Sequence, residues 1–143
     1  MLTDKSKEIL RSMGLLAEHI ICLADCYDDK LENYVKTVFY NPEYAVKSNI
    51  VKDMYNTATE MRELFNEMKV EDLMWLYNEK NISVMELVDF IESAVRSEIY
   101  ANYKVRNAAK AFEEFILDML YREIQDGEKY KNIAKSKNEK EII

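Results

Sequence analysis

Only 2 of the 143 residues are glycine and only 1 is proline, against average usage of about 7% and 5%. A sandwich, barrel or α/β fold needs turn residues at each of its many reversals, so this scarcity leaves room for only a few long elements. The apolar spacing says which kind. Ile9, Met13, Leu16, Ile20, Ala24, Tyr27, Leu31, Tyr34 and Val38 recur every three or four positions. That is one stripe of a helix, starting from a cap among Thr3–Ser6 and ending near Phe39. Gly14 lies inside it at a local cost of about 1 kcal/mol, which the stripe outweighs. Asn41-Pro42 then reads as a cap followed by proline at the first helical position.

A second stripe, Ile50, Met54, Ala58, Met61, Phe65 and Met68, predicts a helix to about Lys69. A short helix over Glu71–Asn78 carries Leu73, Trp75, Leu76 and Tyr77. Ser83 opens "SVME", a capping box in which Ser83 caps and Glu86 reaches back. The helix it starts can run to Gln125 and stop at Asp126-Gly127, with Asn102 and Asn107 as places to bend or break. Residues 127–143 form a Lys/Glu-rich tail after a single domain over 1–126.

The predicted fold class is all-α: a helical bundle of three long helices and one short one, or an elongated helical hairpin completed by oligomerisation. Helices of about 35–40 residues would each span about 50–60 Å, more than a compact domain of this size needs. Part of their apolar surface is therefore expected to pack on a second copy or another protein.

Apolar residues make up 48% of the chain and charged residues 33%, the balance of a folded, soluble protein. No apolar run reaches the roughly 18–20 residues that cross a bilayer, and "MLTDKSKEIL" has no signal-peptide pattern. Cys22 and Cys26, four apart, make no disulfide framework and suit a reducing cytoplasm. The formal net charge is −7, and between Val70 and Glu98 seven acids face two bases. Such a surface repels phosphate backbones, which disfavours direct nucleic-acid binding outside the tail. It attracts basic partners, including proteins that themselves handle nucleic acid.

Two carboxylate pairs stand close in sequence: "EMRE" (Glu60, Glu63) and "ELVD" (Glu86, Asp89). Acids three apart on neighbouring helices can hold magnesium. The pattern resembles the E-E-x-x-E and E-x-x-D motifs of the all-α nucleotide pyrophosphohydrolases of the MazG type. That resemblance implies a Mg-dependent triphosphate hydrolase with these four side chains as ligands. It covers about thirty residues. Thr59 stands where one motif acid belongs, and apolar "LMWLY" fills the connection. On helical wheels Glu63 falls about 180° and Glu60 about 120° from their helix's apolar centre, and Glu86 and Asp89 lie opposite Ile91 and Val95. The residues themselves thus favour solvated faces.

His19, Cys22 and Cys26 share one face of the first helix, but a tetrahedral zinc site lacks its fourth ligand. With Leu15 they read better as a second, semi-apolar face belonging to an interface or a central helix. Glu98 and Asn102 fall on the last helix's apolar stripe and need partners if buried, Arg106 being one turn beyond. "DLMWLYNEKNISVMELVDFI" has a helix–turn–helix look, yet its second helix presents Glu86, Asp89 and Glu92 where a DNA reader presents basic or amide side chains. Trp75 and Tyr77 suit a bundle end or a protein-contact anchor. No Ser/His/Asp set or glycine-rich phosphate loop is present.

The expectation is a non-enzymatic interaction module without cofactor. It would use Trp75, Tyr77, Glu86, Asp89 and Glu92 to dock a basic or apolar groove, and could inhibit a nucleic-acid-handling partner by occluding its basic surface.

Overall fold

The computed structural model describes residues 2–35 and 42–120, with side chains over 2–28 and 47–120. Among these, the chain is an all-α helical bundle without strands. Helix α1 spans Asp4–Val35, α2 Pro42–Asn66, α3 Val70–Lys80 and α4 Val84–Arg96, and α5 occupies 102–120. The Asn41 cap, the Asp126-Gly127 stop, the 127–143 tail and the outer stripe positions Leu31, Tyr34 and Val38 lie outside the described side chains.

Thr3 caps α1, its hydroxyl accepting the Ser6 N–H at 3.3 Å. The α1 stripe buries Ile9, Met13, Ile20 and Ala24 as its spacing requires, together with Leu10 and Ala17 beside it. Opposite them α2 buries Ile50, Met54, Ala58, Met61 and the following Met68. Helix α2 packs on α1 along one side and on α4 along the other. Helix α4 adds Val84, Val88, Ile91 and Val95, and α5 adds Val105, Ala109, Phe112 and Ile116 to the same core.

Gly14 has a packing reason. A Cβ there would stand 3.0 Å from Ile116 Cγ2, so glycine lets α1 and α5 approach closely. The helix-propensity loss at this position is exchanged for contact between the two helices.

Two differences from the sequence expectation matter for function. The long last helix is two helices: α4 stops at Arg96, where Ser97 turns extended at φ −59° and ψ 133°. The chain then crosses Glu98–Ala101 before α5 begins. The break lies just ahead of Asn102 and is held by long-range contacts, as the tilted Tyr100 ring packs 5.1 Å from Tyr27 on α1. Only half of the capping box forms: Ser83 Oγ accepts the Glu86 N–H at 3.3 Å. The Glu86 carboxylate makes no return bond among the described residues.

Helix α3 ends on Asn81, whose backbone is left-handed at φ 55° and ψ 39°. Asparagine tolerates this region better than other residues carrying a Cβ. Asn81→Ala is expected to lower stability by about 1 kcal/mol, whereas Asn81→Gly should not lower it. Urea midpoints of the two variants check the ordering.

Candidate functional site

The two carboxylate pairs do not converge. Glu60, Glu63, Glu86 and Asp89 are all exposed. Among the described residues no group of three or more His, Cys, Asp or Glu side chains is placed to hold a metal ion. The residue that bridges "EMRE" and "ELVD" is a cation. Arg62 donates from Nη2 to Asp89 and to Glu92 Oε2 at 3.0 Å, and from Nε to Glu92 Oε1 at 2.9 Å. This fork binds α2 to α4 at the place where the hydrolase resemblance would put magnesium. The bond from Arg62 is the main reason the Glu92 carboxyl lies below its ordinary range, with partial burial opposing it. The guanidinium is in turn held above its usual value, chiefly by Glu92.

The acidity of the α3–α4 region is therefore less available than its composition suggests. Asp89 and Glu92 are paired with Arg62, whereas Glu86 makes no such pair among the described residues. Asp72 is buried: it accepts the Thr3 hydroxyl at 2.7 Å, the Ser6 hydroxyl, and the Thr3 N–H at 3.4 Å. Burial pushes this carboxyl up, but the bonds from Ser6 and Thr3 prevail and hold it low. Among the acids of α3, Glu71 and Glu79 remain exposed.

Helix α3 buries Asp72 and Leu76 and turns Val70, Met74 and Tyr77 outward, at 65%, 58% and 61% exposure. Positions 70, 74 and 77 follow one another by four and three, so they form a stripe opposite the buried pair. Trp75 is not on it. Its ring is half-buried against the core with the Lys80 ammonium 5.8 Å above it. Tyr77 thus lies on the exposed surface and Trp75 is part of the support beneath. The sequence reading missed Val70 and Met74. Their signal was present, because a helix that buries Leu76 cannot also bury position 74. On α4, Met85 and Phe90 are exposed as well, at 53% and 61%.

Glu98 is exposed in the link between α4 and α5, while Asn102 is the first residue of α5. Asn102 Nδ2 donates to the Ala24 carbonyl at 2.9 Å and to Asp28 at 3.0 Å, and its Oδ1 accepts the Tyr100 hydroxyl at 2.7 Å. Arg106 pairs with Asp25 at 2.6 Å and Asp28 at 2.8 Å rather than with Asn102. Burial pushes the Tyr100 hydroxyl pKa well up, with Tyr27 and Asp28 adding to it. Asn102, Tyr100 and the Arg106 Nη2 group are partners of one another and of Asp25 and Asp28, so the cluster fastens α5 to α1, while Arg106 Nε is buried without a hydrogen-bond partner among the described residues. His19, Cys22 and Cys26 line the outward side of α1 with Leu15, all exposed.

Fold and surface together define an all-α helical bundle with an apolar stripe on its shortest helix. No family model, curated protein or solved structure matches the chain. No helix among the described residues is long and apolar enough to cross a membrane.

Proposed function

We propose that this protein is a binding module that docks a partner protein on the outer face of α3. The carrying observation is the Val70–Met74–Tyr77 stripe, three large apolar side chains each more than half exposed on one helix face. A face of this kind is stabilised by covering it, and a methionine between an aromatic and a β-branched residue adapts to a helical partner's surface. Glu71, about a quarter turn from the stripe on the same helix, supplies a negative rim, so an amphipathic segment with basic flanks fits best. If that segment is the nucleic-acid-binding surface of its owner, docking displaces the nucleic acid and the module acts as an inhibitor. The net charge of −7 supports that partner class. Asp89 and Glu92, fixed by Arg62, contribute to the shape of the neighbouring surface more than to its charge.

The experiment compares native-extract pull-downs by the tagged chain and by Met74→Asp/Tyr77→Ser, each with and without nuclease. The wild type is expected to retain one stoichiometric protein after nuclease treatment. The variant should bind it at least about tenfold more weakly, as loss of a central anchor pair does. Equal capture by both chains would show that α3 is not the docking face. Capture that nuclease abolishes would show that the contact runs through nucleic acid.

A further inference from the structure

A second surface, away from the α3 stripe, carries its own argument. Helices α1 and α5 leave a groove of about 310 Å³ along their outer seam, lined by Gly14, Leu15 and Leu117 with Arg11, Glu18 and Glu113 around them. Leu15 is 69% and Leu117 59% exposed. The polar rim is incomplete within one chain. Arg11 makes no ion pair or hydrogen bond among the described residues. One carboxylate oxygen of Glu113 is buried without a hydrogen-bond partner. A buried acceptor left unpaired costs about 1–3 kcal/mol, so a shift of the Glu113 carboxylate toward a donor brought by another molecule would be favoured.

We propose that this groove is where two copies of the chain pair, antiparallel, about a two-fold axis crossing the seam at the level of Leu15. The arrangement of charge selects both occupant and direction. Arg11 lies four residues before Leu15 and Glu18 three residues after it, about 6 Å and about 4.5 Å to either side along α1. Reversing a second copy over the first brings each Arg11 opposite the other copy's Glu18 and Glu113. A two-fold running along the helices would set acid against acid instead. In the antiparallel pair, Leu15 and Leu117 of both copies meet at the centre, and Gly14 keeps the groove floor low. The contact is isologous and closes on itself, so it produces a dimer and not a filament. The outward stripe of α1 continues as His19, Cys22 and Cys26, which extends the semi-apolar face beyond the axis.

Sedimentation equilibrium of the full chain with reductant present tests this, since Cys22 and Cys26 are exposed free thiols that could otherwise cross-link. A concentration-dependent dimer is expected at or below about 100 µM. Leu15→Glu/Leu117→Glu should leave a monomer whose helicity matches the wild type and whose urea midpoint matches it at concentrations too low for the wild type to pair, because both positions are exposed. Arg11→Glu should weaken the dimer about tenfold or more, and adding Glu18→Arg with Glu113→Gln should restore most of it. A wild type that stays monomeric throughout overturns the proposal and leaves the groove to a different protein. A dimer indifferent to the leucine pair places the contact elsewhere, and a charge exchange that fails to restore pairing rules out the antiparallel arrangement.

Discussion

Asp72→Ala is expected to lower the unfolding free energy by about 2–4 kcal/mol, although the residue lies on the eleven-residue helix α3. Its carboxylate joins three donors from the first turn of α1: the Thr3 hydroxyl, the Thr3 N–H and the Ser6 hydroxyl. It also lies in the first turn of its own helix, so one negative charge serves two helix N-termini. Alanine would leave the buried Ser6 hydroxyl without its acceptor, and Asp72→Asn should cost less because one oxygen remains. The pH dependence follows from the direction of the shift. The folded carboxyl titrates below its unfolded value of about 3.9, so its contribution is complete above that pH and is lost as pH falls through the folded value. Wild-type stability should therefore drop below about pH 4 more steeply than that of Asp72→Asn. Urea titrations of both chains at pH 7 and through the acid range check size and sign together. Parallel acid limbs would show that other carboxyls carry the acid sensitivity.

What the sequence made legible, and what it did not, divides by range. The α1 and α2 stripes were readable because burial repeats at helical spacing, and Thr3 and Ser83 because caps act within three residues. The latch from Asp72 to Thr3 spans 69 residues, and nothing in "VEDLMW" marks the third residue as buried. Arg62 was hidden for the same reason. Inside "EMRE" it reads as the basic residue between two acids, yet its partners lie 27 and 30 residues away. Asn102 shows the opposite case. A polar residue on an apolar stripe marked a place for the long last helix to bend or break, and the chain does break just before it. The location of the break depends on Tyr100 meeting Tyr27 and Asn102 meeting Ala24, pairings that periodicity does not encode. The acidic surface was legible as a charge total and illegible as a surface, because Asp72, Asp89 and Glu92 are committed within the chain.

Phe112→Ala is expected to have the largest effect of any single truncation here, about 3–5 kcal/mol. The side chain is fully buried, and the Phe115 ring meets its edge at a centroid distance of 5.9 Å and 86°. Truncation removes the apolar area of a whole ring and leaves a cavity that α5 cannot readily close, since Gly14 already lets Ile116 approach α1 to contact distance. Urea unfolding followed by far-ultraviolet circular dichroism measures the loss. The variant also separates the two surfaces. Helix α5 forms one wall of the α1–α5 groove and takes no part in the α3 stripe, so at concentrations where the variant remains folded its self-association should weaken. Binding through Met74 and Tyr77 should persist. Because dimerisation stabilises the folded chain by mass action, the wild-type Tm should rise with protein concentration and that of Phe112→Ala should rise less. Equal concentration dependence in the two chains would mean that whatever pairs them does not depend on the seating of α5. Its contribution would then be to the core alone.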